Sequence, residues 1–84
     1  MWYVYILECS DGTLYTGITT DLDKRLSKHN NGKGSKYCKT RLPVILKMSY
    51  MVGNRSEASK EEYRIKKLTR EEKLKLIGGF ELDT

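Results

Sequence analysis

The pattern of apolar and polar positions divides the chain into strand-like and helix-like segments. Residues 2–18 are rich in aromatic and β-branched side chains, which are typical of strands, and Ser10-Asp11-Gly12 in the middle supplies turn residues. This stretch therefore predicts a β-hairpin. A third strand is predicted over residues 42–52, with Pro43 at its beginning, where a missing amide is tolerated. On this strand Val44, Leu46, Met48 and Tyr50 are expected to share one face.

Apolar residues at helical spacing follow the hairpin and the third strand. Thr20 can cap a first helix that runs to about residue 30 and is stopped by Asn31-Gly32. Leu22 and Leu26 of this helix are four positions apart and are expected to face the core. After the third strand, Ser56 can cap a second helix over about residues 57–68. Its apolar stripe runs through Ala58, Ile65 and Leu68.

A capping box indicates where the last helix begins. Thr69-Arg70-Glu71-Glu72 places a glutamate three residues after a threonine, the spacing at which each side chain can bond the other's backbone amide. The helix is expected to carry Leu74 and Ile77 to the core and to end at Gly78-Gly79. Residues 80–84 are expected to form a flexible tail.

The order of these elements predicts the fold class. A chain of 84 residues is expected to form one small domain, here residues 1–79. The order β-β-α-β-α-α predicts an α+β fold in which a small three-stranded antiparallel sheet is flanked by helices.

The register of the hairpin decides where two tyrosines point. With a two-residue loop at Asp11-Gly12, Tyr5 and Tyr15 fall on opposite faces of the sheet. With a three-residue loop, Gly12 takes the left-handed position and Tyr5 lies opposite Gly17. Tyr5 and Tyr15 then become diagonal neighbours on one face, and Gly17 leaves empty space above Tyr5. Two phenols beside such a gap would resemble the floor of a site.

Positive charge is concentrated in one part of the chain. The net charge is +5 and the isoelectric point is about 9.3. Seven cations and no acid lie between residues 24 and 41: Lys24, Arg25, Lys28, Lys33, Lys36, Lys39 and Arg41. A block of one sign favours a polyanion such as nucleic acid, whereas a surface selected only for solubility would mix both signs. Within this block, Tyr37 could stack on a base, and the alternative is a mobile basic loop with no fixed ligand.

Three further residues have chemistry that could belong to a site. Arg25 and His29 are four positions apart on the first helix and lie along the edge of its leucine stripe, where the helix meets the hairpin. Beside two tyrosines, His29 is a candidate proton carrier, although a lone histidine is usually structural. Glu62 falls within the apolar stripe of the second helix, where a carboxylate needs a cation or hydrogen bonds; it could instead lie at the rim, paired with Lys66.

The spacing of these residues resembles a known family. Tyr3-Val4-Tyr5, then Tyr15-Thr16-Gly17 and then Arg25 resemble the GIY-YIG nucleases, and most closely the small stand-alone bacterial proteins of the UPF0213 group. The helix that carries Glu62 resembles the metal-binding helix of the excision-repair incision subunit, and Arg25 with His29 resembles junction- and flap-cutting members. The chain departs from the family at Tyr3-Val4, where the motif opens with Gly-Ile, at Ile18, where some members have lysine, and near Leu74, where the repair subunit has asparagine.

The resemblance implies a role for each candidate. Tyr15 would orient or deprotonate the attacking water, and Tyr5 would support the scissile phosphate or the nucleophile. Arg25 would stabilise charge on the phosphate, and His29 would relay a proton. Glu62 would hold one divalent cation, Mg²⁺ or alternatively Mn²⁺. These residue types suit the chemistry, because a free phenol is a weak base at neutral pH and needs such neighbours.

The resulting hypothesis is a metal-dependent endonuclease acting on DNA. The chain has no second domain to read sequence, so low specificity, or specificity for branched, flap or single-stranded DNA, or a protein partner that supplies specificity, is expected. The phosphate contacts are expected from Lys28, Lys33, Lys36, Lys39 and Arg41, with Tyr37 beside them. The alternatives are a nucleic-acid-binding module with weak or lost catalysis and a partner-binding domain that kept only the fold.

The setting expected from composition is the cytoplasm. Cys9 and Cys38 do not form a CxxC pair, and with one histidine they cannot build a standard zinc site, so both are expected to be reduced thiols. No apolar run approaches the roughly 20 residues of a membrane span, and no signal peptide is visible.

Overall fold

Within residues 1–82, a hairpin and one further strand form an antiparallel sheet with four helices around it. The structure, a computed structural model, describes residues 1–82, with side chains up to residue 79. The elements in chain order are β1 (Trp2–Glu8), β2 (Leu14–Thr19), α1 (Leu22–Asn30), α2 (Lys36–Lys39), β3 (Ile45–Val52), α3 (Arg55–Lys66) and α4 (Arg70–Leu82). The strand order is β2-β1-β3, which confirms the expected three-stranded α+β fold. The helix α2 is a single turn within the basic segment.

The central strand β1 separates two apolar layers. All four residues from Val4 to Leu7 are buried, as expected for a strand covered on both faces. Val4 and Ile6 pack in one core with residues of β3, α3 and α4. Tyr5 and Leu7 pack in a second core on the opposite face, against α1, α2 and the segment before β3. Successive side chains of one strand therefore serve two different layers of the molecule.

The hairpin loop has three residues, which settles the register. Gly12 has a φ of 83°, and the Cys9 amide donates to the Thr13 carbonyl across a distance of 2.9 Å. Tyr5 therefore lies opposite Gly17. The second of the two alternatives left open by the sequence is confirmed.

The tip of the hairpin is fastened to two other parts of the chain. The Arg41 side chain forms an ion pair with Asp11, with 3.0 Å between Nε and Oδ2, and the Ser10 amide donates to the Arg41 carbonyl. From the other side, the Arg70 guanidinium of α4 donates to the Gly12 carbonyl. The loop thus joins the basic segment to the beginning of α4.

The alternation predicted for the third strand is broken by a β-bulge. Ile6 of β1 pairs with Met48, but the next residue, Leu7, pairs with Leu46, so Lys47 is an extra residue in β3. Leu46 therefore faces the layer of Tyr5 and Leu7, and Met48 faces the opposite layer. The prediction that Leu46 and Met48 share a face was wrong, because strict alternation holds only in a strand without a bulge. The strand also begins at Ile45 and not at residue 42.

Two helices begin at caps other than those predicted. Asp21, and not Thr20, caps α1, because its side chain accepts from the Lys24 amide. Asn54, and not Ser56, caps α3, which consequently begins at Arg55. In each case two suitable cap residues lie close together in the sequence, and sequence preference alone does not rank them.

The capping box of α4 is confirmed, but the predicted end of that helix was wrong. The Thr69 amide donates to Glu72, and the Glu72 amide donates to the Thr69 hydroxyl. The helix then continues through Gly78 and Gly79 to Leu82, so the predicted tail over 80–84 begins inside it, and residues 83 and 84 lie outside the described residues. Ile77 is buried as expected, whereas Leu74 is 44% exposed.

Two expectations about the setting can be compared with the structure. Cys9 and Cys38 are both buried free thiols, as predicted. Within residues 1–82, none of the helices combines the length and the apolar character needed to span a bilayer.

Because Gly78 and Gly79 lie inside the helix α4, Gly78→Ala should stabilise the protein. A Cβ atom at Gly78 would meet no atom within 4 Å, and alanine favours the helical state over glycine. We expect the free energy of unfolding, measured by urea denaturation, to rise by about 0.5–1 kcal/mol. A fall in the unfolding free energy would instead indicate that the helix ends at Gly78-Gly79, as the sequence had predicted.

Candidate active site

The two tyrosines of the hairpin lie on one face of the sheet. Tyr5 pairs with Gly17, and Tyr15 pairs with Leu7, so the phenols occupy diagonal positions. Leu22 and Leu26 of α1 pack against this face, as predicted, and bring the helix over the tyrosines. The polar edge of α1 consequently lies beside them.

The Tyr5 ring fills the space that glycine leaves at position 17. A Cβ atom at Gly17 would overlap the Tyr5 hydroxyl and ring, so the expected gap above Tyr5 is occupied by the phenol of Tyr5 itself. Tyr5 is only 2% exposed. Its hydroxyl lies 3.2 Å from Nε2 of His29 and forms a buried hydrogen bond with it. Gly17 thus allows the phenol to lie flat on β2 and to reach α1.

His29 is enclosed between the sheet and the basic segment. A Cβ atom at Gly34 would overlap the His29 ring, so the backbone at Gly34 packs directly on the imidazole. The Tyr15 ring meets the same imidazole edge to face, with 5.5 Å between ring centroids. Nδ1 of His29 is buried and has no hydrogen-bond partner among the described residues. The sequence predicted Arg25 and His29 at the seam between helix and hairpin, and His29 lies deeper than its edge position suggested.

Burial keeps both members of this hydrogen-bonded pair uncharged. Burial raises the pKa of Tyr5 to about 12, and the nearby Tyr15 adds to this, while Arg25 acts in the opposite direction. Burial also lowers the pKa of His29, and the positive charges of Arg25 and Lys28 lower it further. At neutral pH the pair therefore consists of a protonated phenol and a neutral imidazole.

An open groove runs past the pair and collects the cations of α1 and the following loop. We call it the reactive groove; its volume is about 240 Å³, and its lining residues are Tyr15, Arg25, Lys28, His29, Lys33, Gly34 and Ser35. Five of the predicted site residues meet there: Tyr15, Arg25, Lys28, His29 and Lys33. The groove combines a half-buried phenol, a neutral imidazole and three cationic side chains.

The remaining basic residues have different surroundings. The ring of Tyr37 on α2 stacks on that of Tyr15, with 6.0 Å between centroids and 24° between planes. The Arg41 guanidinium lies 4.1 Å from the Tyr37 ring centroid, donates to the Tyr37 carbonyl and pairs with Asp11. Arg41 therefore braces α2 against the hairpin, whereas Lys36 and Lys39 are exposed on α2.

Glu62 lies on the helix that covers the opposite face of the sheet. Its side chain is 25% exposed and forms an ion pair with Lys66, with 3.5 Å between Oε2 and Nζ, so it lies at the rim of the stripe. Within the described residues, no hydrogen bond or ion pair joins Glu62 to Tyr5, Tyr15, Arg25 or His29. No group of three or more His, Cys, Asp and Glu side chains suited to a metal ion occurs in that part of the chain. A lone carboxylate still fits Mg²⁺, which prefers oxygen ligands and keeps several of its waters.

Two residues that position the site were not predicted. Asn30 at the end of α1 accepts from the Val44 amide at 2.8 Å and donates to the Val44 carbonyl, which fixes the helix beside the start of β3. Gly34 provides the close backbone contact with His29. Glycine permits a close approach of the backbone, but the sequence alone could not indicate that the group approached at Gly34 is the imidazole.

Comparison with known proteins shows which chains are similar to this one. Residues 1–75 match the sequence profile of the GIY-YIG catalytic domain. A UPF0213 protein of Staphylococcus saprophyticus is 55% identical over 76 residues, which cover 90% of this chain and 93% of the relative. A UPF0213 protein of Staphylococcus haemolyticus is 52% identical over 75 residues, covering 89% of this chain and 92% of the relative.

Two solved structures are also similar. The solution NMR structure of a UPF0213 protein from Bacillus halodurans superposes with a TM-score of 0.60 at 47% identity, covering 93% of this chain and 84% of that chain. The solution NMR structure of a protein from E. faecalis gives a TM-score of 0.64 at 45% identity, covering 95% and 85% of the two chains. The similarity therefore extends over nearly the whole domain.

The lowered pKa of His29 predicts an acid-sensitive component of stability. Below pH 6.5 the unfolded chain binds a proton at its histidine more readily than the folded protein does, so stability should fall as the pH drops through 6.5. Because the chain has one histidine, its NMR titration should give a midpoint below 6.5 without ambiguity. The decline in unfolding free energy from pH 7 to 5.5 should shrink in His29→Gln, and an equal decline in both proteins would contradict the assignment.

Gly17→Ala should damage both stability and the tyrosine pair. The added methyl would force the buried Tyr5 ring off Gly17, which we expect to cost about 1–3 kcal/mol of unfolding free energy and to break the bond to His29. Gly79→Ala is the matched control, since a Cβ atom there meets nothing within 4 Å. Urea denaturation measures the stability, and a rise of the His29 pKa toward 6.5 would report that the ring is no longer enclosed. Equal stability of Gly17→Ala and the parent protein would refute the packing.

Proposed function

This chain belongs to the GIY-YIG family of catalytic domains, and on that premise we propose that it is a metal-dependent endonuclease that hydrolyses phosphodiester bonds in DNA. The proposed substrates are branched, flap or single-stranded DNA, or duplex DNA of low sequence specificity. The reactive groove carries the proposal, because it brings the Tyr15 phenol of β2 and the imidazole and guanidinium of α1 to one surface.

The cations of the groove suit a phosphodiester. Arg25 offers a planar fork of donors that can bind two phosphate oxygens at once and stabilise their charge. Lys28 and Lys33 lie beside it and would hold the neighbouring backbone. The described residues lining the groove include no carboxylate that would repel DNA.

The two phenols are proposed to have different roles. Tyr5, with a pKa of about 12, is protonated at neutral pH and buried, so it suits a fixed hydrogen-bonding group and not a base. Tyr15 lines the groove and would orient the attacking water. His29 lies against both rings and is neutral at pH 7, so it is proposed to relay a proton, although its burial and the nearby cations weaken it as a base.

The proposed cation is one Mg²⁺ held by Glu62, with Mn²⁺ as an alternative. When bound, such an ion stabilises negative charge on the leaving oxygen. Lys66 must release the Glu62 carboxylate for this, which costs little because a partly exposed ion pair within one helix is weak. Glu62 would then act as an oxygen ligand of the ion.

A nucleic-acid-binding module without efficient catalysis is the second candidate. Ile18 follows Gly17 where some family members carry lysine, and in its place the structure has an aliphatic side chain packed toward the opposite core. The cations of the groove would bind DNA whether or not Tyr15 activates water.

A cleavage assay with matched carboxylate variants tests the proposal. The protein would be incubated with labelled single-stranded, duplex, flap and branched DNA in Mg²⁺, in Mn²⁺ and in EDTA. We expect cuts that require the cation, and a loss of about 100-fold or more in Glu62→Gln, as for removal of a group that stabilises the transition state. Glu61→Gln is the control, because Glu61 lies on the same helix in an ion pair with Arg64.

Each outcome separates the candidates. Equal cleavage by Glu62→Gln and the parent protein would refute the role of Glu62 and point to a contaminating nuclease. Salt-sensitive DNA binding with no cleavage in any cation would favour the binding module. Absence of binding at low salt would refute both.

A further inference from the structure

A second groove lies beside the beginning of α4, outside the basic segment that the sequence emphasised. We call it the α4 groove; its volume is about 220 Å³, and it is lined by Thr13, Leu14, Tyr37, Arg70 and Lys73. Arg70 and Lys73 are more than thirty positions along the chain from Tyr37, so only the fold brings these groups together. The sequence pattern indicated no role for Arg70 beyond its place in the capping box of α4.

The α4 groove adjoins the reactive groove across a pair of aromatic rings. Tyr15 lines the reactive groove, Tyr37 lines the α4 groove, and the two rings stack with their centroids 6.0 Å apart. A chain that crosses the reactive groove can therefore continue along this aromatic wall into the α4 groove. Tyr37 is 39% exposed, so part of its ring is available for contact.

The charge of the α4 groove also favours a polyanion. Arg70 is held in place by its hydrogen bond to the Gly12 carbonyl, and Lys73 lies one turn further along α4. No carboxylate is among the described residues that line the groove. The nearest acid of the hairpin tip, Asp11, is already bound by Arg41 and Thr13.

We propose that the α4 groove binds the unpaired nucleotide next to the cleaved phosphodiester, with its base stacked on Tyr37 and its phosphate paired with Arg70 and Lys73. The position of this nucleotide next to the cleaved bond rests on the function proposed above. Tyr15 and the Arg41 guanidinium each cover part of the Tyr37 ring, so the base would contact the part of the ring that stays exposed and the outer face of the guanidinium. A base within a duplex has its faces covered by its neighbours, so the nucleotide on Tyr37 must be unpaired.

Binding measurements in EDTA test this inference without any cleavage. The probes are a blunt DNA duplex and the same duplex with a single-stranded overhang, each labelled with a fluorophore for anisotropy. The parent protein should bind the overhang DNA more tightly, and Tyr37→Leu should weaken that binding about tenfold while changing blunt-duplex binding little. Tyr37→Phe keeps the ring and should bind as the parent does.

The lysine is tested through the salt dependence of the same binding. Lys73→Ala should weaken binding of the overhang DNA and reduce the slope of log affinity against log salt by about 1. Lys75→Ala removes the same charge from the same helix, lines neither groove and should leave the slope unchanged. Arg70 is left intact because it also fastens the hairpin tip.

An abasic nucleotide separates stacking from charge. Each unpaired nucleotide of the overhang would be made abasic in turn. At one of these positions, Tyr37→Leu should no longer weaken binding of the overhang DNA, whereas Lys73→Ala should still weaken it. Overhang binding that is the same in Tyr37→Leu, Lys73→Ala and the parent protein would overturn the subsite, even if the protein cuts DNA. The expected pattern without cleavage in any cation would support the subsite and refute the nuclease. No binding of either DNA would refute both.

Discussion

The hydrogen bond between Tyr5 and His29 determines how the two halves of the site fit together. It joins the central strand to α1, and it can form only because glycine at two positions leaves room for the rings. Gly17 lets the phenol lie on β2, and Gly34 lets the backbone of the basic segment close over the imidazole. Side chains at either position would separate the elements that carry the cations. The arrangement of the charged groups therefore depends on the contact between α1 and the hairpin.

Keeping this pair uncharged also allows the surrounding surface to be strongly positive. A protonated His29 would be repelled by Arg25 and Lys28, and a neutral one is not, so the cations can gather at the rim of the groove without cost to the buried pair. The buried groups thus provide geometry, and the exposed groups provide attraction for phosphate. This division explains why no acid is needed among the described lining residues to balance the charge.

Local chemistry made part of this arrangement predictable from the sequence. The shared face of Tyr5 and Tyr15 followed from one choice, the length of the hairpin loop, and the capping box fixed the start of α4. The bulge at Lys47 could not be predicted, because it depends on how β3 pairs with β1 and the sequence around Lys47 gives no local signal of it. The approach of Gly34 to His29 and of Arg70 to Tyr37 depends on the packing of distant segments. The link between Glu62 and the other site residues remains a prediction from the family resemblance.

The tip of the hairpin has a consequence for anyone who modifies this protein. Exposed hairpin loops usually accept inserted peptides, reporter tags and new chain termini. Here Ser10, Asp11 and Gly12 are held by Arg41 on one side and by Arg70 on the other. An insertion at this tip would release the basic segment and α4 together, although it would lie outside both grooves. Fusion partners are therefore better joined at a terminus than at this apparently harmless turn.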